Sequence, residues 1–241
     1  MCVIYFAFKQ NSKFPLILLA NRDEFYERPT AKAEFWPDAP EIFAGRDLVH
    51  GGTWLGITKS GRFSAVTNYR DPLAPTGKFS RGDLVSDFLK THETAEEYLT
   101  EISERAADFS GFNLLVGEIN EQNQTIGYYS NREDKIKILA PGIYGLSNHL
   151  LDTPWPKVEK GKSELTALFE KISFEKEELF DILFDKTLAK DEDLPETGIG
   201  REREKLLSAI FIETPIYGTR SSSLVLVDEN YAISLEERVH I

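Results

Sequence analysis

The chain of 241 residues has one cysteine and one methionine, and both stand at its beginning, in the stretch MCVIYFAFK. A single cysteine excludes an internal disulfide, so nothing in the sequence requires an oxidising compartment. The C-x-x-C, H-E-x-x-H, Walker and EF-hand patterns are all absent. The four histidines are scattered along the chain: His50, His92, His149 and His240. We therefore predict no metal site and no resident cofactor.

Basic residues and long apolar runs are also scarce. The chain has 28 Lys and Arg against 40 Asp and Glu, a net charge of −12, which argues against nucleic-acid binding. No stretch approaches the roughly 18 apolar residues of a membrane-spanning helix, and no secretory signal precedes the first strand. A cytoplasmic protein without a transmembrane segment is expected. Hydrophobic residues make up 41% of the chain, which is enough for one domain over residues 1–241; the oligomeric state stays open.

Paired apolar segments predict β-hairpins. Residues 2–8 (CVIYFAF) and 14–20 (FPLILLA) flank a polar turn, and their lack of alternation is typical of strands buried on both faces. A second hairpin is predicted for 53–58 and 62–68. Further strands are predicted at 112–119, 124–130, 135–139, 217–228 and 231–239.

Helices are predicted between these β blocks. Capping-box patterns at Ser80/Asp83 and Thr94/Glu97 precede two helices. Further helical segments are expected at 158–172, 175–186 and 201–211, with Trp155 anchoring the start of the first and the Glu and Lys residues of 157–178 on a solvated face. The order of strands and helices indicates an α+β fold in which two sheets stack and helices cover their outer faces.

Cys2 has two interpretations. A lone cysteine on an apolar strand is commonly a core residue. Removal of Met1 would instead give Cys2 a free α-amine with a pKa of about 7.7–8.0, beside a thiol with a pKa of about 8.5. Such an amine can accept the thiol proton, so one residue would supply both nucleophile and base.

A nucleophile of this kind needs partners, and the polar ends of the apolar strands offer them. Asp23 could orient the ammonium, Arg22 or Arg220 could favour the thiolate, and Asn68 and Asn148 could stabilise an oxyanion. The alternative for each is structural, since NRDE could be a strand-ending turn and the two asparagines could be turn residues. Arg220 lies in an apparent inner strand, where a buried charge requires a partner.

Several motifs taken in order resemble the NRDE-motif family, also called the transport and Golgi organisation protein 2 family. They span residues 1 to about 228, and they are Met1-Cys2, LLANRDE, AGRDLVHGGTWLGI, VTNYRDP, SRGDLV, FNLLVG, GIYGLSNHLLDTPWPK and YGTRSSSLVLVD. This family in turn is similar to N-terminal nucleophile hydrolases of the cholylglycine hydrolase and penicillin V acylase branch.

The resemblance implies a four-layer αββα sandwich of N-terminal nucleophile (Ntn) hydrolase type with two stacked antiparallel sheets. It also implies a linear-amide hydrolase acting on a small acyl or amide ligand. The catalytic positions that match are Cys2, Asp23, Asn68, Asn148 and Arg220. The residues beside them in the same motifs are the predicted substrate-binding set: Arg22, Asn21, Tyr69 and His149.

One departure from the hydrolase pattern bears on geometry. Those enzymes separate the arginine from the aspartate by two residues, whereas Arg22 and Asp23 are adjacent here. Neighbours on a regular strand point to opposite faces, so both can serve Cys2 only if the strand bulges or ends between them. Of the two, Asp23 is the preferred prediction.

Two other functions stay open. The resemblance also implies a non-catalytic protein that binds or moves haem, acyl-CoA or lipid, and for haem the candidate ligands are Cys2, His50, His149 or a tyrosine. A purely structural protein is the third hypothesis. It predicts that Cys2, Asp23 and Asn148 do not converge.

Overall fold

The first hairpin sets the frame of the structure, a computed structural model that describes residues 2–241. Strands β1 (Cys2–Phe8) and β2 (Leu16–Phe25) pair in antiparallel register, with Cys2 directly opposite Arg22. Both strands are buried on both faces, as their unbroken apolar sequence predicts. The second strand continues through the whole NRDE motif, so the motif is part of the sheet and not a turn beyond it.

Residues 2–241 form twelve strands, which belong to two antiparallel sheets. The first sheet adds three strands to the hairpin: β10 (Gly142–Leu146), β11 (Tyr217–Val227) and β12 (Ile233–Val239), in the order β10-β1-β2-β11-β12. The second sheet has seven strands in sequence order: β3 (Thr30–Trp36), β4 (Ala39–Asp47), β5 (Leu55–Thr58), β6 (Arg62–Asn68), β7 (Phe112–Ile119), β8 (Gln124–Ser130) and β9 (Lys137–Ile138).

Helices cover the outer faces. The second sheet carries α1 (Arg81–Lys90) and α2 (Ala95–Glu104), and the first sheet carries α3 (Pro156–Phe169) and α4 (Lys176–Leu183); a short helix α5 (Arg201–Leu206) follows. The predicted capping box at Thr94 and Glu97 is confirmed. Ser80 also caps its helix, but with another bond: its hydroxyl accepts from the N–H of Gly82, whereas the N–H of Asp83 donates to the Ser80 carbonyl.

Three apolar cores separate the four layers. Alternate residues of β1 divide between two of them: Ile4 and Phe6 face the other sheet, whereas Val3 and Tyr5 face α3 and α4. The third core fills the space between the second sheet and α1 with α2. The predicted α+β class with two stacked antiparallel sheets is therefore confirmed, and the layers follow the αββα order.

The differences from the predicted elements are local. Three strands were not predicted, β3, β4 and β10, because each is only partly buried and carries no continuous apolar run. The predicted strand at 135–139 shortens to β9, and the predicted helix at 201–211 shortens to α5. Within residues 2–241, no helix is both long enough and apolar enough to cross a bilayer.

Candidate active site

A polar cleft of about 370 Å³ opens between the two sheets at the end where β1 begins. Four of the residues predicted to form a site line it: Cys2, Arg22, Asp23 and Asn68. The far wall comes from the β4–β5 connection, which includes Trp54, and from the segment 76–82 that leads into α1. Cys2 is partly buried and lines this cleft, which favours the interpretation of a site residue over that of a core residue.

Cys2 and Arg22 share one face of the first sheet because they are paired across β1 and β2. The Arg22 guanidinium lies 4.1 Å from the centroid of the Trp54 ring, and its Nη1 donates to Thr30 Oγ1 at 3.1 Å. Burial raises the pKa of the Cys2 thiol, and the Asp23 carboxylate raises it further. The backbone N–H of Asp23 and the Arg22 cation oppose that rise by favouring the thiolate.

Asp23 is on the opposite face of β2 from Arg22, as strand alternation requires, and it is buried. Its Oδ1 accepts a hydrogen bond from Thr219 Oγ1 at 2.7 Å, and its carbonyl accepts one from the Tyr217 hydroxyl at 3.1 Å. Burial raises the pKa of the Asp23 carboxyl, against the influence of Lys157 and of the bond from Thr219. Asp23 therefore lies where the end of the sheet meets the helix layer.

The bulge that would let Arg22 and Asp23 both face Cys2 is not found between them in β2, and the register shift lies in the partner strand β11 instead. Thr219 pairs with Asp23 and Ser221 pairs with Arg22, so Arg220 is an extra residue of β11. Strand β2 itself continues without a break. Regular alternation along β2 therefore places Arg22 and Asp23 on opposite faces, at the edge of one cleft.

Asn68 and Asn148 meet behind the cleft. The side-chain Nδ2 of Asn148 donates to the carbonyl of Asn68 at 3.0 Å, and Asn148 is completely buried. The neighbouring Ser147 hydroxyl reaches the carbonyl of Cys2 at 3.4 Å. Asn148 is thus brought to the site but does not line the cleft, and its amide orients the Asn68 backbone. Convergence of Cys2, Asp23 and Asn148 runs against the purely structural hypothesis.

Several of the predicted site residues lie outside the cleft lining. Arg220 does not line the cleft; from its bulge, its Nη1 donates to the carbonyl of Arg28 and lies 3.3 Å from Thr30 Oγ1, so it fastens the turn after β2. Asn21 precedes Arg22 on β2, and neighbouring residues of a strand point to opposite faces. Its side chain therefore points away from Cys2. Its Nδ2 donates to the carbonyls of Leu183 and Ile210 at 2.8 and 3.0 Å, which ties the strand to the helix layer.

Tyr69 and His149 also lie outside the cleft lining. Their rings contact each other at a centroid distance of 4.9 Å, and His149 contacts Trp155 at 5.8 Å. The His149 Nδ1 is 2.8 Å from Thr153 Oγ1, and burial lowers the pKa of the imidazole. This aromatic group anchors the start of α3, whose first residue follows Trp155, as predicted.

A buried charge cluster lies beneath Asp23. Lys157 was predicted to lie on a solvated helix face, and this was wrong: only 4% of it is exposed, and its Nζ donates to the carbonyl of Leu207 at 2.9 Å. Burial lowers the pKa of Lys157 to about 8, with Asp23 acting in the opposite direction. Nearby, Arg70 and Glu204 form a buried ion pair at 2.5 Å. The periodicity of α3 did not reveal Lys157 because it occupies the first turn, where the helix meets the sheet end.

The sequence analysis missed several residues of the cleft. Trp54, which lies within a family motif and was given no place in the predicted site, supports the Arg22 guanidinium. Arg81 is the first residue of α1 and lines the cleft, within a motif that was quoted but given no role. A signal existed: a cation at a helix amino terminus is disfavoured by the helix dipole, and such a local conflict commonly marks a functional residue.

A sequence profile described as Transport and Golgi organisation 2 matches residues 1–240. The chain is a member of this family. Its relatives include the Transport and Golgi organization protein 2 homologs of Bos taurus and Homo sapiens, both 38% identical to it over 99% of this chain and 92% of the relative. The Drosophila melanogaster protein of the same name is 32% identical over 98% of this chain and 92% of its own.

Solved structures with the same fold come from acylases. A Caenorhabditis elegans ortholog of N-acylethanolamine-hydrolyzing acid amidase superposes with a TM-score of 0.54 at 10% identity, covering 96% of this chain and 97% of its own. A conjugated bile acid hydrolase from Clostridium perfringens does so with a TM-score of 0.54 at 10% identity, covering 100% and 97%. At this identity the likeness shows the fold alone, and the family member described here shares the Ntn-hydrolase architecture.

Proposed function

We propose that this protein hydrolyses a linear amide bond, with Cys2 as the nucleophile and its own α-amine as the base once Met1 has been removed. Met1 lies outside the residues that the structure describes. The observation that carries the proposal is the position of Cys2, at the start of the central hairpin and open to a polar cleft, with Arg22 across the ladder and Asp23 beside it. The fold of the acylases that superpose on this chain supports it.

In the proposed reaction the α-amine takes the thiol proton, and the thiolate attacks the carbonyl carbon of the amide. The resulting oxyanion is stabilised by the backbone N–H or the side chain of Asn68, which the buried Asn148 amide orients. The ammonium then protonates the leaving nitrogen, and the C–N bond breaks to leave a thioester on Cys2. Water, activated by the same amine, cleaves the thioester and releases the acid.

Two neighbours adjust the nucleophile. Burial raises the pKa of the thiol, so a fixed cation is needed to favour the thiolate; Arg22, held against Trp54, supplies it. Asp23 faces the other side of the sheet end, where its carboxylate orients the ammonium of Cys2. Arg22 acts on the thiolate and Asp23 on the ammonium because their side chains lie on opposite faces of β2.

Mass spectrometry of the purified protein, followed by turnover assays with N-acyl amides, tests the proposal. The mature protein should lack Met1, and Cys2→Ala should reduce turnover by at least about a hundredfold, because no other residue can form the thioester. Thr100→Ala, on the exposed face of α2, is the control and should keep full activity. An intact Met1, or equal turnover by Cys2→Ala, would contradict hydrolysis by this mechanism.

A second candidate is non-catalytic binding of haem or acyl-CoA in the same cleft. The observation in its favour is that Cys2 and His50, two of the possible haem ligands, both line the cleft, whereas His149 does not. Haemin titration should then shift the Soret band, and Cys2→Ala or His50→Ala should weaken that shift. Absence of binding below tens of micromolar for both haemin and long-chain acyl-CoA counts against this candidate.

The remaining expectations about partners and place stay predictions. A small acyl or amide ligand is the expected partner, and nucleic acid is not expected, given the net charge of −12. A cytoplasmic location is the further prediction. Fractionation of cells that express the tagged protein would test it, and recovery with a membrane or organelle fraction would contradict it.

A further inference from the structure

The charge of the cleft differs from that of the molecule. The chain carries a net charge of −12, yet cations are as prominent as carboxylates around Cys2. The cationic lining residues are Arg22, Arg28, Lys78 and Arg81, and the carboxylates are Asp23, Glu24 and Asp47. An acidic protein that gathers four cations in one cleft has a local electrostatic feature that its overall composition does not explain.

Two of these cations are already neutralised by carboxylates. Arg28 pairs with Asp47 at 2.6 Å and with Glu24 at 3.8 Å. Lys78 pairs with Asp108 at 2.8 Å at the rim of the cleft. These pairs account for Glu24 and Asp47, the two partly buried carboxylates of the lining. They leave the charges of the other two cations to be explained.

Arg22 and Arg81 have only uncharged acceptors. The Arg22 Nη1 donates to the hydroxyl of Thr30, and the Arg81 Nη1 donates to the carbonyl of Gly111, each at 3.1 Å. Within residues 2–241, no carboxylate oxygen comes within 4.0 Å of either guanidinium. Burial lowers the pKa of both side chains. Arg22 is buried and Arg81 is half-buried, and Glu24, whose charge acts on both, is itself paired with Arg28. A cation that loses hydration without a directly paired carboxylate is destabilising, and the cleft contains two of them.

The location of Arg81 adds a second unfavourable element. It is the first residue of α1, immediately after the Ser80 cap, where the helix dipole already presents partial positive charge. Acidic residues are preferred there, and the sequence instead directs a cation into the cleft. An anion bound beside Arg81 would pair with its charge and would also interact favourably with the helix dipole.

We propose that the cleft binds a negatively charged group of its ligand, a carboxylate or a phosphate, between Arg81 and Arg22, and that Arg81 is the specificity-determining residue. If Cys2 hydrolyses an amide, the substrate class is then an acidic acyl amide. That substrate class rests on the proposed function, whereas the anion site does not. The role also accounts for the SRGDLV motif, which hydrolysis by itself leaves without one.

Alkylation of Cys2 provides a direct test, because it is the only cysteine of the chain. The rates of reaction with anionic iodoacetate and with neutral iodoacetamide are compared, and their ratio is measured against the same ratio for glutathione. The ratio for Cys2 should exceed that for glutathione on the order of tenfold at low salt and fall as salt is added, since nearby unpaired cations attract the anion. Arg81→Gln should remove most of the excess, and Arg81→Lys should retain part of it.

Lys59→Gln, which removes a cation far from the cleft, is the matched control and should leave the ratio unchanged. If circular dichroism shows that Arg81→Gln does not fold, the test uses the wild type instead and asks whether added anions protect Cys2 from alkylation. Acetate or phosphate, compared with chloride at equal ionic strength, should slow the alkylation of Cys2 by iodoacetamide. Protection by acetate identifies a carboxylate site, and protection by phosphate identifies a phosphate site.

A ratio equal to that of glutathione, or an unchanged ratio in folded Arg81→Gln, would overturn the proposal. Lack of protection by both anions would do the same. These readouts follow the thiol and not turnover. A protein that hydrolyses no amide but shows the iodoacetate preference therefore keeps the anion site and loses only the proposed reaction.

Discussion

At the residue scale, the informative pair is Arg22 and Asp23, which are adjacent in the chain and face opposite sides of β2. Arg22 shares the inner face with Cys2, where it is stacked on Trp54. Asp23 faces the helix layer, where Thr219 and the buried Lys157 surround it. The sequence preferred Asp23 over Arg22 as the partner of Cys2, and in the structure each of the two reaches the end of the sheet on its own face.

Lys157 provides a prediction about pH. Its pKa is lowered to about 8 from 10.5, so between these values the unfolded chain holds a proton that the folded chain has released. By linkage the free energy of unfolding of the wild type should rise with pH across this window, with a slope of at most ~1.4 kcal/mol per pH unit. Lys157→Met lacks this contribution. In urea unfolding at several pH values, the free energy of unfolding of the wild type minus that of Lys157→Met should increase as pH rises.

The control for this experiment is Lys13→Met, at an exposed lysine of the β1–β2 turn. Its free energy of unfolding should run parallel to that of the wild type over the same range. Taking differences between wild type and variant removes the contributions of Cys2 and the tyrosines, which also titrate at alkaline pH. Parallel curves for Lys157→Met and the wild type would show that Lys157 keeps its ordinary pKa.

At the element scale, α3 is seated on β1 through a close contact between Gly161 and Tyr5. The tyrosine ring is completely buried, and its hydroxyl donates to the carbonyl of Lys157 at 2.7 Å, so the ring is held in place. A Cβ atom at position 161 would lie 2.2 to 2.6 Å from three ring carbons. The absence of a side chain at Gly161 is what lets α3 approach the sheet behind the site.

Gly161→Ala is therefore predicted to lower the free energy of unfolding by about 1–3 kcal/mol, although alanine is the better helix former. Urea unfolding at neutral pH measures the change. Ser163→Ala, on the exposed side of the same helix, is the matched control and should change stability by no more than ~0.5 kcal/mol. If Gly161→Ala left the free energy of unfolding unchanged or raised it, α3 would be able to move away from β1 with little loss of stability.

Strand β11 shows how one element can organise both faces of a site. Its bulge at Arg220 changes the register between Thr219 and Ser221, and so changes which residues stand opposite Asp23 and Arg22. Thr219 holds the Asp23 carboxylate, while Arg220 fastens the turn that follows β2. The interpretation of Arg220 as a catalytic group rested on its charge in an inner strand. The bulge gives that charge carbonyl partners outside the cleft.

At the scale of the whole molecule, the cleft depends on both sheets, since Cys2 and Arg22 belong to one and Asn68 to the other. The core between the sheets is continuous from Phe6 to Tyr128, so separating the layers would expose it. The prediction of a single domain over residues 1–241 then has a consequence. Unfolding should be one cooperative transition.

The three tryptophans report on different layers and make this testable. Trp36 lies in the core of α1 and α2, Trp54 borders the core between the sheets, and Trp155 precedes α3. Single-tryptophan variants should give fluorescence midpoints in urea that coincide with one another and with far-UV circular dichroism. Distinct midpoints for the Trp36 and Trp155 variants would instead indicate two units that unfold separately.

Much of the fold could be predicted because its central strands are continuous apolar runs, such as β1, β2 and β7. Strands β3 and β4 escaped prediction because most of their residues are only partly buried or exposed, which leaves no unbroken apolar pattern. Of the site, Cys2 and Asn68 were found from polar residues at strand ends. Arg81 was not, because its approach to Cys2 depends on how α1 is docked.

The sequence by itself determined the layered α+β architecture, since burial on both faces of a strand forces cover on both sides of a sheet. It also placed the thiol of Cys2 at the end of a central strand. Only the tertiary structure decided which way each polar neighbour points. One extra residue in β11 and the docking of a helix start determine those directions, and both depend on contacts between segments far apart in the chain.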